Sequence, residues 1–229
     1  MTSYGMVIDL ERCIGCHACS VACTQANDVA LDGQWNRVLT EGGDSMDTPD
    51  GEYPEHGRGG TLSMSYVPLA CQHCQNAPCV EVCPTDATYK RDDGIVEIDS
   101  DVCIGCRHCT SACPYNANVF NCDEPEPLAA DGTGTVERGD QGVVEKCTFC
   151  SDRVDSGIDP ACTVACPADA RIFGDLEDEQ STVSRYLKNY HSEQLLEDLG
   201  TDPNTYYIRG DVSPGRPQVG NELENPGER

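Results

Sequence analysis

Cysteine is the residue most able to do chemistry in this 229-residue chain, which contains seventeen of them. Sixteen of the seventeen fall into four groups of four. Groups one and three share the spacing C-x2-C-x2-C-x3-C, whereas groups two and four run C-x2-C, a wider gap and then C-x3-C. In chain order the groups are Cys13, Cys16, Cys19 and Cys23; Cys71, Cys74, Cys79 and Cys83; Cys103, Cys106, Cys109 and Cys113; and Cys147, Cys150, Cys162 and Cys166. Thiolates spaced this closely are ligands for soft metal centres.

The spacing favours iron–sulfur cubanes. A C-x2-C-x2-C run lets one tight loop supply three ligands, and its short spacers direct backbone N–H groups at the cluster sulfurs. Gly15 and Gly105 lie inside these loops, where we expect a positive φ. A proline directly follows the fourth cysteine of groups two, three and four, as in the bacterial ferredoxin signature, whereas group one has Thr24. We therefore predict four 4Fe–4S clusters, with a helix starting at each fourth cysteine.

Two other uses of cysteine are less compatible with this pattern. Disulfides would require an oxidising compartment and fit poorly with an odd number of cysteines. Zinc ribbons use distant C-x2-C pairs, not triplets followed by C-P. The alternative outside electron transfer is a zinc-binding interaction module. An optical spectrum would distinguish the two, because zinc protein is colourless and iron–sulfur protein is brown.

The polar neighbours of the cysteines have two interpretations each. His17, His73 and His108 are expected beside the clusters or at the surface, not as ligands. Arg107 and Lys146 adjoin ligands, where their charge could raise a cluster's potential, or they are simply solvated. Cys122, outside every group, is interpreted as an inert buried thiol or a surface residue.

Several elements must position these groups. Residues 87–99 read as a hairpin around an Asp-Gly turn, and residues 5–9 and 142–145 read as strands. Residues 178–199 predict a helix, broken near 191–192. We expect the tail from Thr201 to be loose in the isolated chain and to wrap a partner.

Composition narrows the class of protein. The apolar fraction is 38%, with three Phe and one Trp, so metal centres are expected to supplement a thin core. Forty Asp and Glu stand against fifteen Lys and Arg, a net charge of −25 spread along the chain. This balance predicts a halophile's surface and argues against nucleic acid as a partner. The sequence shows no targeting segment and no apolar run of about 18 residues, so we expect no membrane span.

We predict an α+β fold of tandem bacterial-ferredoxin-like 4Fe–4S modules with long loop insertions, a C-terminal helix and an extended tail. Groups one and three begin about 90 residues apart, which indicates an internal duplication. One module comprises residues 1–23 and 143–176, and the other comprises residues 66–122. The remaining segments are an insertion at 24–65, an acidic loop at 123–142, and the helix and tail at 177–229. The insertion is either a solvated loop or a docking surface for another subunit.

In their order and flanking residues, the four groups resemble those of the four-cluster electron-transfer subunits of complex iron–sulfur molybdoenzymes, of the dimethyl sulfoxide reductase and polysulfide reductase types. The resemblance spans about residues 3–176. Its specific segments are 13–19, 71–74, 78–79, 103–109, 112–115, 146–150 and 170–176.

The resemblance implies four ligand sets, which we call sites one to four. Site one is Cys13, Cys16, Cys19 and Cys166; site two is Cys147, Cys150, Cys162 and Cys23; site three is Cys71, Cys74, Cys79 and Cys113; and site four is Cys103, Cys106, Cys109 and Cys83. Related nitrate reductase subunits have Trp at the position of Cys106 and a three-iron cluster there. The cysteine in this chain therefore implies a complete cubane.

The resemblance also implies a complex. A catalytic subunit would hold a molybdenum or tungsten bis-pterin, and an integral membrane subunit would oxidise quinol. Sites one and two would lie toward the catalytic subunit, and sites three and four toward the membrane. The chain would have no active site of its own and would be membrane-associated through its partners, on the outer face by co-export or on the cytoplasmic face.

The terminal substrate and the direction of electron flow stay open. Dimethyl sulfoxide, trimethylamine N-oxide, polysulfide, thiosulfate, tetrathionate and arsenate are all compatible with such a subunit. An iron–sulfur subunit of a formate dehydrogenase or hydrogenase, or a soluble polyferredoxin, is the alternative with the same sixteen ligands.

Overall fold

Short strands and helices surround the cysteine groups. The structure is a computed structural model that describes residues 2–29, 33–41, 64–121 and 141–209. The strands are β1 (Tyr4–Asp9), β2 (Arg37–Glu41), β3 (Ser65–Leu69), β4 (Thr88–Lys90), β5 (Val96–Ile98), β6 (Val119–Phe120), β7 (Val144–Glu145), β8 (Arg171–Asp175) and β9 (Thr205–Ile208). The helices are α1 (Ala18–Asn27), α2 (Pro78–Glu81), α3 (His108–Ala112), α4 (Ser151–Asp155), α5 (Ala161–Val164) and α6 (Thr182–Asn189), and a 3₁₀ turn covers Glu197–Leu199. The predicted mixture of helices and strands is confirmed.

The central sheet has the strand order β8–β1–β9. β1 is antiparallel to β8, with Met6 opposite Phe173, and parallel to β9, with Val7 opposite Tyr206. Because side chains alternate across a strand, Met6 and Ile8 enter the main core, whereas Val7 joins the apolar cluster beneath α6. Both faces of β1 are therefore buried, which accounts for its continuous apolar run.

The segment from Thr201 is not a loose tail in its described part, 201–209. Residues Thr205–Ile208 form β9 beside β1, and the side chain of Tyr207 is fully buried. The Tyr207 hydroxyl donates to the Pro68 carbonyl oxygen at 3.1 Å and accepts from Gln72 Nε2 at 3.2 Å. The expectation of a loose tail is wrong for these residues, because a run of strand-forming residues completes a sheet that would otherwise expose β1. The contact of the tail with a partner stays a prediction.

The predicted helix over 178–199 is much shorter than expected. α6 starts after Ser181, whose Oγ accepts from the Ser184 N–H at 3.2 Å, and ends at Asn189. The predicted break near 191–192 is present, because the chain leaves α6 at Tyr190 and Glu193 forms a backbone bridge with Tyr207 of β9. Beyond the break, a turn and the 3₁₀ segment Glu197–Leu199 take the place of the second half of the expected helix.

The smaller sheets are two-stranded. β4 and β5 form the predicted hairpin, with Thr88 opposite Ile98 and Gly94 at φ +87° in the turn. β2 pairs with β3, and β6 pairs with β7. The strands expected at 5–9 and 142–145 are present as β1 and β7.

Some predicted features lie outside the described residues. These are most of the insertion (30–32 and 42–63), most of the acidic loop with Cys122, and the tail beyond residue 209. In the part of the chain that is described, no helix is long and apolar enough to cross a membrane.

Candidate iron–sulfur cluster sites

The loops of groups one and three need glycine at one position. Gly15 and Gly105 have φ values of +66° and +65°, as expected. A Cβ atom at Gly15 would collide with the ring of Tyr66, and one at Gly105 would collide with the carbonyl oxygen of Gly142. The loops are thus held both by their own conformation and by the residues packed against them.

Each helix begins near the third cysteine of its group, not at the fourth as predicted. His17 and Arg107 are left-handed, at φ +59° and +61°, and the helix starts at the next residue. α1 therefore carries both Cys19 and Cys23, one turn apart on the same side. The left-handed residue ends the loop early, and this places consecutive cysteines at two neighbouring sites.

The residue after the fourth cysteine controls the length of the helix. α1, which has Thr24 at this position, continues to Asn27, whereas α3 ends at Ala112, just before Cys113 and its following proline. Proline restricts the residue before it to extended conformations and cannot continue a helix. The departure of group one from the C-P pattern thus accompanies a longer helix, which includes its fourth cysteine, Cys23, whereas Cys113 lies just beyond the end of α3.

Three cavities are lined by cysteines from distant parts of the chain. The thiols around them are those of site one (Cys13, Cys16, Cys19, Cys166), site two (Cys23, Cys147, Cys150, Cys162) and site three (Cys71, Cys74, Cys79, Cys113). At site four, burial and then the nearby thiols of Cys103, Cys106 and Cys83 raise the pKa of Cys109. All sixteen cysteines are free thiols. The structure thus brings together the cysteines of each predicted set.

The donor chemistry of these sites fits 4Fe–4S clusters. Each set offers four thiols, and the three cavities are almost entirely apolar. Among the described residues, no three His, Cys, Asp or Glu side chains converge closely enough to hold a single metal ion. Thiols spread around a cavity are what a compact multi-iron cluster requires.

Burial controls the protonation of these thiols. Desolvation raises the pKa of Cys147, and desolvation together with the nearby Cys71 raises the pKa values of Cys74 and Cys79 to about 12. Such thiols are protonated near neutral pH until a cluster replaces the proton. Cluster insertion is therefore coupled to proton release.

Backbone N–H groups point at two of the fourth cysteines. The Thr88 N–H donates to Cys83 Sγ, and the Ala170 N–H donates to Cys166 Sγ, both at 3.3 Å. Burial alone would raise the pKa of Cys83, but hydrogen bonds from Thr88 and Thr85 lower it overall. These donors stabilise negative sulfur, the form in which cysteine binds a cluster.

Shared elements connect the four sites in the order one, two, three, four, a succession that we call the line of sites. Sites one and two share α1 and α5, because each of these helices carries or adjoins a cysteine of both. Sites three and four share α2 and α3 in the same way. Between the two pairs, Cys71 of site three also lines the cavity of site two, and the His73 and Phe149 rings stack at 3.7 Å.

The neighbouring polar residues divide into buried and exposed ones. His73 is fully buried, its Nδ1 accepts from the Val96 N–H at 3.0 Å, and desolvation followed by the charge of Lys146 holds its pKa well below 6.5. His17 and His108 are exposed. Arg107 is exposed over the ring of Phe120, whereas Lys146 is buried rather than solvated.

Sequence reasoning missed the asparagines that support the loops. Asn36 Nδ2 donates to the carbonyl oxygen of Cys19 at 3.1 Å, and Asn118 Nδ2 donates to that of Cys109 at 2.7 Å. Each thus holds the third cysteine of a triplet. Arg171, noted only as part of a familiar segment, is buried beside Cys162. No spacing rule could have found these contacts, because they connect different elements.

Paired short helices, triplet loops and four sets of thiols define a ferredoxin-like protein with 4Fe–4S sites. Two family models, each described as a 4Fe–4S dicluster domain, match residues 12–87 and residues 62–131 with 133–176.

Three relatives make the identification more specific. The iron–sulfur subunit of a putative dimethyl sulfoxide reductase of Halobacterium salinarum is 66% identical, over 98% of this chain and 86% of the relative. The arsenate respiratory reductase iron–sulfur subunit of a Shewanella species is 38% identical, over 90% and 95%. A polypeptide of the polysulfide reductase of Wolinella succinogenes is 37% identical, over 90% and 93%. This chain is a member of the family of iron–sulfur subunits of molybdoenzyme respiratory reductases, and its acidic composition agrees with the similarity to a protein of a halophile.

Proposed function

We propose that this chain is the electron-transfer subunit of a membrane-bound respiratory molybdoenzyme of the dimethyl sulfoxide reductase type. It would carry four 4Fe–4S clusters in sites one to four and relay electrons between a quinol-linked membrane subunit and a molybdopterin catalytic subunit. When bound, the clusters supply one-electron transfer. The linear succession of four thiol sets through one chain carries this proposal.

The residues of the chain have three tasks in this function. The cysteines hold each centre, the burial of most of them excludes water, and the backbone N–H groups at Cys83 and Cys166 stabilise negative sulfur. At the two ends of the line, Cys16 and Cys106 are exposed. Exposure at the ends and burial in between suit a relay that exchanges electrons with two different partners.

Apolar side chains beside the two exposed cysteines support docking there. Ile14 is 61% exposed next to site one, and Ile104 is 65% exposed next to site four. We propose that Ile14 contacts the catalytic subunit and Ile104 contacts the membrane subunit, on the outer face after co-export. Exposed apolar residues beside a functional group are typical of interaction surfaces.

Metal analysis of anaerobically prepared protein tests the four-cluster proposal. We expect about sixteen iron and sixteen sulfide per chain. Mainly zinc, or about eight iron, would refute it. Co-purified partners test the complex: a molybdopterin protein supports the proposal, whereas a hydrogenase large subunit would replace it.

Variants at the two ends test the orientation. Ile14→Glu should release the catalytic subunit and retain the membrane subunit, and Ile104→Glu should do the reverse. Leu199→Glu, at an exposed residue of the 3₁₀ turn, is the matched control and should release neither. The opposite pattern of loss would reverse the proposed orientation.

A further inference from the structure

Two buried cations lie between the cluster sites. Arg171 is 4% exposed and Lys146 is 2% exposed. Among the described residues, neither forms an ion pair with a carboxylate. Burial of an unpaired cation is strongly unfavourable unless a nearby negative charge offsets it. The negative charge must therefore come from something else close to these two side chains.

Arg171 lies between sites one and two. It lines both cavities, and its Nη1 is 3.7 Å from Cys162 Sγ of site two. Its Nη2 donates to Asn36 Oδ1 at 2.7 Å, and Asn36 in turn donates to the carbonyl oxygen of Cys19 of site one. The guanidinium is thus held between sites one and two, at this junction, by one contact to a cysteine of site two and by an asparagine that supports a cysteine of site one.

Lys146 lies between sites two and three. Its Nζ donates to the carbonyl oxygen of Cys147 of site two at 3.0 Å and to that of Val96, a residue that lines the cavity of site three. Burial and the nearby Cys71 raise the pKa of Cys79 of site three, and the Lys146 ammonium opposes them. The ammonium therefore acts across the boundary between the two ferredoxin-like modules.

We propose that Arg171 and Lys146 are fixed counter-charges that raise the reduction potentials of the sites on either side of them. The inference rests on the proposed function, because it needs clusters in the four sites. A cluster with four thiolates is negative, and a fixed cation in a low-dielectric interior makes the uptake of one more electron easier. Arg171 acts on sites one and two, and Lys146 acts on sites two and three. The reduction potential of site two, which adjoins both cations, is raised most, and that of site four is raised by neither cation.

Redox titration monitored by EPR tests this pattern on the complete, cluster-loaded protein. Arg171→Gln should lower two of the four midpoint potentials, and Lys146→Met should lower two, one of them shared. We expect at least a tenfold change in each reduction equilibrium, about 59 mV for a one-electron couple. In the double variant three potentials should fall, one of them by about the sum of both shifts, while the fourth stays unchanged.

Matched controls separate local charge from other effects. Arg185→Gln and Lys188→Met make the same changes at exposed positions of α6 and should leave all four potentials unchanged. Arg171→Lys and Lys146→Arg retain the positive charge, so their midpoint potentials should stay close to the wild-type values. Should the Lys146 variants fail to load iron, the Arg171→Gln and Arg171→Lys pair decides the question at the other junction.

The outcomes distinguish this inference from the proposed function. Wild-type protein without four reducible centres would refute the proposed function. Four loaded centres whose potentials do not change in Arg171→Gln and Lys146→Met would overturn only the counter-charge inference, as would equal shifts in the exposed controls.

Discussion

Cys106 illustrates how one residue can determine the composition of a site. It is the exposed second cysteine of group three, and the proposed site four needs it as one of its four ligands. An iron without a thiolate is readily lost, so a missing cysteine here gives a three-iron cluster. The residue at position 106 therefore decides between a complete cubane and a three-iron cluster at site four.

We expect Cys106→Ser to convert one cluster to the three-iron form and to leave the other three intact. EPR of the oxidised variant should then show a near-isotropic three-iron signal that the wild type lacks. Cys122→Ser is the matched control, because Cys122 lies outside all four groups, and it should show no new signal. The same signal at about one per chain in anaerobic wild-type protein would contradict the assignment of four complete cubanes.

Two glycine variants test whether the packing of Gly105 against the Gly142 backbone is needed to hold the cluster of site four. Gly105→Ala adds both left-handed strain and a clash with the Gly142 backbone, so we expect loss of about four iron per chain. Gly157→Ala is the control: it has a similar φ, +74°, but open space around the new Cβ. That variant should cost about 1–2 kcal/mol of stability and retain all its iron. Equal iron loss in both variants would show that packing against Gly142 is unimportant.

At the scale of elements, β9 attaches the C-terminal part of the chain to both β1 and the loop of group two. Tyr207 on β9 contacts the carbonyl of Pro68 on β3 and the side chain of Gln72 in the loop of group two. The Asn204 N–H also donates to the Gln72 carbonyl oxygen at 2.9 Å. The strand beside β1 thus joins the central sheet to the cysteines of group two.

Tyr207→Phe should lower the free energy of unfolding by about 1–2 kcal/mol, because it leaves buried polar groups of Pro68 and Gln72 with one partner fewer. Thermal unfolding in concentrated KCl measures this change. Tyr206→Phe, on the opposite face of the same strand and half-buried, should cost about 0.5 kcal/mol or less. A similar decrease in the free energy of unfolding in both variants would show that the buried Tyr207 hydroxyl contributes no more to stability than the half-buried Tyr206 hydroxyl.

At the scale of the whole molecule, the net negative charge destabilises the compact state that the core stabilises. The net charge is −25, and the main core contains seven of the site cysteines among its aliphatic and aromatic side chains. Self-repulsion destabilises the compact state, and clusters with four thiolates add negative charge inside it. Arg171 and Lys146 offset some of this charge locally, but the surface charge requires screening by salt.

We expect unfolding and cluster loss on dialysis into dilute buffer, and retention of both fold and clusters in molar KCl, where the screening length is about 3 Å. The absorbance of the clusters and the circular dichroism of the fold would be followed together. Sucrose in dilute buffer strengthens apolar burial without screening charge and should not rescue the protein. Equal stability in dilute buffer and in KCl would contradict the expected dependence on salt.

The sequence by itself determined the metal chemistry, the duplication and the family, because loop ligands and hairpin turns are encoded by residues a few positions apart. Gly15, Gly105 and the hairpin at 87–99 could be predicted on this basis. Tertiary structure alone decided that β9 lies beside β1, that Lys146 is buried and that Arg171 reaches Cys162. These contacts join residues from separate elements, and only the packing of those elements brings their side chains together.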